Sequence, residues 1–252
     1  MMPEPLLKGR PLWLAVLDYG LFRVHANGRI IGISGYVIRT DEGESVLIDT
    51  GFPAKYAADP QAATTEDGLD SFGEVLSLTP DNLPGPQLAL LGLGPDDIDL
   101  LVTTHTHVDH IGGLADFPRA PMVVAAAERD LPRPLYWSGA QPMEWPDRHY
   151  VRVEGDMTLG PGLQILLVPG HAPGQLALLL ELPETGPVLL TSDAISRPSE
   201  IDEAFAGSWD APAACTNAAR LLDLAAAQDA FVIYGHWPEQ WPLLRKAPQV
   251  YR

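Results

Sequence analysis

The stretch Thr103-Thr104-His105-Thr106-His107-Val108-Asp109-His110-Ile111-Gly112-Gly113 gathers three histidines and a carboxylate within six residues. It directly follows Ile98-Asp99-Leu100-Leu101-Val102, an apolar run that reads as a short buried strand after the turn signal Pro95-Asp96-Asp97. Each imidazole has a donor and an acceptor to satisfy, so three of them at a buried strand end are poorly explained by core packing. Metal coordination explains them well. In an extended segment His105 and His107 project to one face, while Asp109 and His110 lie on the following turn and face a neighbouring position. One segment can thereby serve two metal ions. Gly112 and Gly113 read as permitting close backbone approach beside it.

Working outward, three further polar residues stand just past apolar strands. They are His171 in Leu167-Val168-Pro169-Gly170-His171, Asp193 in Leu189-Leu190-Thr191-Ser192-Asp193 and His236 in Val232-Ile233-Tyr234-Gly235-His236. Functional groups of α/β architectures concentrate on loops at strand C-termini, so these junctions are expected to converge on one edge. The donor set is then five histidines and two aspartates, which suits Zn²⁺, Fe or Mn and lacks the thiolates of a structural zinc site. His25 and His149 have no comparable context and read as ordinary surface or second-layer histidines. Cys215 reads as a small buried apolar residue, and Trp137, Trp145, Trp237 and Trp241 as core or cavity wall.

The remaining elements frame these positions. Residues 12–24, 30–38 and 46–48 read as a strand meander with a turn at Asn27-Gly28. Strands are expected at Met122–Ala125, 163–168, 176–180, 188–190 and Phe231–Tyr234, with an Ala/Leu-rich helix over 213–227. Residues 57–87 shift to Asp, Thr, Pro and Gly around a short helix at 69–77, and read as a mobile insertion or lid.

Composition bounds the function. A chain of 252 residues, 46% hydrophobic, can bury one substantial core, and a single domain spanning 1–252 is expected. With 25 prolines and 23 glycines and no repeat, short elements and many turns replace long helices. A net charge of −17 without a basic stripe argues against a nucleic-acid partner. One cysteine leaves no internal disulfide, and the N-terminal apolar run is broken by Asp18 and too short to span a membrane. A cytoplasmic protein without membrane association follows as the expectation.

With these motifs in place, the chain resembles the metallo-β-lactamase-fold superfamily of metal-dependent hydrolases. The shared features are Leu47-Ile48-Asp49-Thr50-Gly51, the His105/His107/Asp109/His110 motif, His171, Asp193 and His236, so the resemblance spans nearly the whole chain. It implies an α/β (α+β) fold, an αββα sandwich of two mixed sheets flanked by helices. It also implies two divalent metal ions, zinc first, with iron or manganese also suited. One would be held by His105, His107 and His171 and the other by Asp109, His110 and His236, with Asp193 bridging. Asp49 would orient a ligand histidine. Ligand spacing and length are most similar to the N-acyl homoserine lactonase group. Where those lactonases carry a tyrosine three residues after the bridging aspartate this chain has Ser196, which leaves Tyr19 and Tyr136 as other sources of a hydroxyl.

The expected chemistry is attack of a metal-bridging hydroxide on a lactone or ester carbonyl, with Asp193 or Asp109 carrying the proton to the leaving oxygen. Between His171 and His236 only Arg197 and Arg220 are basic, which disfavours polyanionic substrates and favours a neutral or partly apolar small molecule. The alternatives are small phosphodiester or thioester hydrolysis on the same fold, and iron-dependent redox chemistry. A homodimer is compatible with the sequence.

Overall fold

Strand-forming sequence alternates along most of this chain, and two sheets result. The computed structural model describes residues 5–252. Its first sheet contains β1 (Pro11–Val24), β2 (Ile30–Thr40), β3 (Ser45–Ile48), β4 (Gly73–Ser77), β5 (Leu100–Val102), β6 (Met122–Ala125) and β7 (Tyr150–Val153), in the order β4-β1-β2-β3-β5-β6-β7. The second contains β8 (Met157–Gly160), β9 (Leu163–Leu167), β10 (Leu176–Leu182), β11 (Gly186–Ser192) and β12 (Phe231–Tyr234), in the order β12-β11-β10-β9-β8. Both are mixed: β3, β5, β6 and β7 run parallel, as do β11 and β12, and the other pairings are antiparallel.

The period-two alternation of a strand decides which side chains meet. Val46, Ile48, Leu100, Val102, Val123 and Ala125 of the first sheet face Ile165, Leu176, Leu178, Leu180, Val188 and Leu190 of the second, and all are buried between the sheets. Their neighbours Leu47, Leu101, Met122 and Val124 point outward beneath Tyr56, Leu88, Ile111, Leu114 and Phe117. On the far side Ala177, Leu179 and Leu189 meet Ala214, Ala218, Leu221 and Ala225. These four residues share one stripe of the long C-terminal helix Ala211–Gln228, at roughly helical spacing. Helix, sheet, sheet, helix is the αββα sandwich the sequence implies.

The short helices are α1 (Lys55–Ala58), α2 (Pro60–Glu66), α3 (Pro84–Ala89), α4 (Val108–Ile111) and α5 (Ala126–Arg129), and the C-terminal helix is α6. Asp210 caps α6 by accepting the Ala213 N–H at 3.0 Å, and its own N–H binds the Gly170 carbonyl at 2.8 Å. The start of α6 is thus fixed against the loop that carries His171.

The short helix expected at 69–77 is not formed. A single 3-10 turn at Leu69–Ser71 leads into β4, which pairs with β1 through Phe22↔Val75 and Arg23↔Glu74. Pairing with the open edge of β1 satisfies backbone groups that a helix this short leaves partly unpaired. Among the described residues no helix is long and apolar enough to cross a membrane.

Candidate metal centre

Strand directions bring the donors together. β9 and β11 are both antiparallel to β10, and β12 is parallel to β11, so their C-terminal ends open on one edge. His171, Asp193 and His236 follow those ends, while His105 and His107 follow β5, with Asp109 and His110 on α4. The two sheets are tied beside the site by the Leu176 N–H, which donates to the Thr104 carbonyl at 2.8 Å.

The donors fall into overlapping groups. His105 Nε2 and His171 Nε2 each lie 3.0 Å from His107 Nδ1. Asp109 Oδ2 lies 3.6 Å from His110 Nε2 and 3.5 Å from His236 Nε2. Asp193 stands between, with Oδ2 3.5 Å from His171 Nε2 and Oδ1 3.2 Å from His236 Nε2 and 3.6 Å from His110 Nε2. Within each of the sets His105/His107/His171, His105/His110/Asp193 and Asp109/His110/His236, the donor atoms all lie within 4.8 Å of one another. Nitrogen and carboxylate ligands about 2.0–2.2 Å from a cation require such spacing. His110 Nε2 and Asp193 Oδ1 are buried without a hydrogen-bond partner among the described residues, a costly state that a divalent ion would relieve. The donor set fits divalent metal ions.

Backbone and carboxylate partners fix these rings. His110 Nδ1–H donates to Asp49 Oδ2 at 2.8 Å and His236 Nδ1–H to the Gly32 carbonyl at 2.9 Å, which leaves both Nε2 atoms facing the centre. Asp49 also accepts from the Thr104 N–H at 2.8 Å and the Thr104 hydroxyl at 2.7 Å. Gly112 supports the same loop, since a Cβ there would lie 2.0 Å from the Phe52 carbonyl carbon. The close approach that the double glycine suggested is present. Glu128, on α5, binds the Thr106 N–H, the Thr106 hydroxyl and the Gly174 N–H, and so joins the His105–His107 loop to the segment after His171.

Burial and the carboxylates act in opposite directions on the histidines of the two groups. Burial pushes the His107 ring down to about 3, with His171 adding to the effect, and burial likewise lowers His105 and His171. Burial also disfavours charge on His110 and His236. There, however, the carboxylates prevail: Asp109, Asp49 and Asp193 raise His110 to about 10, and Asp193 with Asp109 raises His236 to about 9. Burial opposes ionisation of Asp193, yet His236, His110 and His171 hold its carboxyl well below the usual range. Positive charge is favoured at His110, beside Asp49, Asp109 and Asp193, and at His236, beside Asp109 and Asp193.

A cavity of about 550 Å³ opens from the centre, bordered by His107, Asp109, His171, Asp193 and His236. One wall is apolar, with Phe22, Phe52, Leu69, Phe72 and Trp137. The lining also includes Ser196, Arg197, Glu200, Glu203, Phe205 and Trp209, the last 64% exposed. Ser196 borders the cavity as its position after Asp193 requires, with its carbonyl bound to the His236 N–H at 2.8 Å. Neither alternative tyrosine reaches it. The Tyr19 hydroxyl is buried against the Asp49 carbonyl at 3.4 Å, and the Tyr136 hydroxyl donates to Asp67 Oδ2 at 2.6 Å, so both are consumed by the core. His25 lies outside this cavity, with Nδ1 2.9 Å from the Asp70 carbonyl. Sequence reasoning missed Glu128, whose lone carboxylate follows β6 without a motif, and it missed the contribution of Arg29 to the cavity.

The fold and this donor set define a class, a metal-dependent hydrolase of αββα architecture. The chain belongs to the metallo-beta-lactamase superfamily, whose family model matches residues 30–236. An N-acyl homoserine lactonase of Bacillus sp is 33% identical over 219 residues, covering 81% of each chain. The N-acyl homoserine lactonase AttM of Rhizobium radiobacter is 30% identical over 237 residues, covering 86% of each. Among solved structures, a B. thuringiensis AiiA variant with N-decanoyl-L-homoserine bound at its active site superposes with a TM-score of 0.82 at 26% identity, over 96% of this chain and all of the other.

Proposed function

We propose that this protein opens the lactone ring of N-acyl homoserine lactones or closely similar neutral acyl lactones. The observation that carries this reading is the continuity of a seven-residue donor centre with a cavity whose wall is aromatic and aliphatic. An uncharged acyl chain suits that wall, and the relatives named above act on such lactones by name.

In this reading His105, His107 and His171 would hold one divalent ion and Asp109, His110 and His236 the other. Zinc is the metal best suited to these nitrogen and oxygen donors. When bound there, two divalent ions would supply an activated water and polarise the lactone carbonyl. Asp193, with Oδ2 toward His171 and Oδ1 toward His236 and His110, would serve both groups of donors. It and Asp109 are the carboxylates placed to take a proton and return it to the leaving ring oxygen. The apolar wall holds the acyl chain and excludes water from that side. With Tyr19 and Tyr136 bound elsewhere, neither supplies a hydroxyl to orient the substrate carbonyl.

The test is a single preparation assayed for metal content and for hydrolysis of lactone, thioester, β-lactam and phosphodiester substrates. Two divalent ions per chain, highest kcat/KM on an acyl homoserine lactone, and loss of that activity on chelation and in Asp193→Asn are expected. Fully metallated protein that leaves every lactone intact overturns the reading.

A further inference from the structure

The cavity that opens from the metal centre is lined by two arginines in different states. Arg197 is already paired, with Glu200 Oε1 at 2.8 Å and with the Glu203 carboxylate. Arg29 is not. Its side chain makes no ion pair or hydrogen bond with any described residue, and its Nε is buried without a partner. Arg29 stands just before β2, on the hairpin that also contributes Phe22, Val24 and Ile31 to the cavity. Its carbonyl accepts the Val24 N–H at 2.8 Å, so the β1–β2 ladder fixes its backbone. Three residues on, the Gly32 carbonyl holds the ring of His236. The same rigid hairpin therefore positions a metal-facing histidine and an unpaired guanidinium at one cavity.

We infer that Arg29 is a specificity-determining residue, which selects substrates carrying an oxygen acceptor, a ketone or a carboxylate, on the acyl part. This rests on the lactonase reading above. Arg29 is half-buried on the cavity lining, so a saturated acyl chain covering it would strip water from the accessible part of its guanidinium without supplying an acceptor, whereas an oxygen on the chain would replace that water with a charge-assisted hydrogen bond. A site with a committed but unpaired donor discriminates strongly against the analogue that lacks the acceptor. Arg197 cannot substitute, because Glu200 and Glu203 occupy its fork. The nearby acidic pair also limits how much further negative charge the wall accepts, so a ketone and a carboxylate are separable experimentally.

The experiment measures kcat/KM for three N-acyl homoserine lactones of equal chain length, one saturated, one with a ketone in the chain and one ending in a carboxylate. The wild-type enzyme is expected to prefer at least one oxygenated lactone over the saturated one by about tenfold. That ratio should fall toward unity in Arg29→Met. Arg29→Gln, which keeps an amide donor but no charge, should retain the preference if the partner is the ketone and lose it if the partner is the carboxylate. If wild-type enzyme cleaves none of the three, the lactonase reading fails. If it cleaves them without preference, or if Arg29→Met lowers all rates equally and leaves the ratio unchanged, Arg29 has only a structural role and the inference is overturned. Should Arg29→Met fail to fold, Arg29→Ala is read in its place, and a ratio equal to that of the wild type overturns the inference.

Discussion

Glu128 concentrates several functions in one side chain. It is fully buried and accepts from Thr106 and Gly174, two segments that carry the His105, His107 and His171 loops. Burial raises its carboxyl above the ordinary value, opposed by hydrogen bonds from Thr106 and Gly174. A carboxyl with a raised folded-state pKa binds its proton more tightly folded than unfolded. Its contribution to stability is therefore largest below about pH 4.3 and declines as pH rises through the raised value. Glu128→Gln should abolish that decline. The variant places an amide N–H₂ against one of the N–H donors and should lose about 1–3 kcal/mol through the unsatisfied group. Denaturant titrations should show a larger deficit relative to wild type at pH 5 than at pH 8, and a deficit that widens toward alkaline pH would refute the assignment. That the donor histidines and aspartates come together was legible in the sequence, because a histidine cluster at a buried strand end is poorly explained by core packing and three more polar residues follow apolar strands. Glu128 and Arg29 were not, since a single charged residue acquires meaning only from what the fold sets opposite it.

Among the elements, legibility followed hydrophobic pattern. Met122–Ala125 and Phe231–Tyr234 were readable with their bounds as β6 and β12, and residues 213–227 nearly so as α6, because apolar runs there match a strand or helix period. β7 and β8 escaped: each is four residues long, with Arg152 and Thr158 exposed and Gly160 closing the second, so neither presents an apolar run. At 69–77 the error was one of partner, because an exposed strand on the edge of β1 is recognisable only from the strand it joins. Energetics should follow the same inward and outward faces. Leu178 on β10 is fully buried between the sheets, whereas Glu181 on the same strand faces solvent. Leu178→Ala should cost about 2–5 kcal/mol through lost contacts and the cavity left behind. Glu181→Ala, which removes only an exposed 3.6 Å pairing with Arg10, should cost less than about 1 kcal/mol. Equal shifts in the denaturation midpoints of the two variants would contradict the layer assignment.

At the scale of the whole molecule, the charge of −17 has two parts with different consequences. Exposed carboxylates repel polyanions and one another, whereas Asp49, Asp109 and Asp193 lie beside His110 and His236, where neighbouring positive charge offsets theirs. The donors come from both layers: His105, His107, Asp109 and His110 from the first sheet, and His171, Asp193 and His236 from the second. Cations bound at this edge should therefore fasten the two sheets and stabilise the fold as well as serve the chemistry. Any ligand that binds only the native state stabilises it by mass action, about 2.7 kcal/mol at one hundred times its dissociation constant. For a chain of this size each kcal/mol is worth roughly 2–4 °C in thermal midpoint. Chelation should accordingly lower the midpoint by about 5–10 °C, and titrating Zn²⁺ back should raise it progressively with free metal concentration. Because protons on His110 and His236 stand in for the missing cations, the loss should be smaller at pH 6 than at pH 9, where those rings begin to deprotonate and the carboxylates lose their compensation. Scanning calorimetry of chelated and zinc-restored protein at the two pH values checks both statements. An unchanged midpoint after verified metal removal would show that the sandwich closes without its cations.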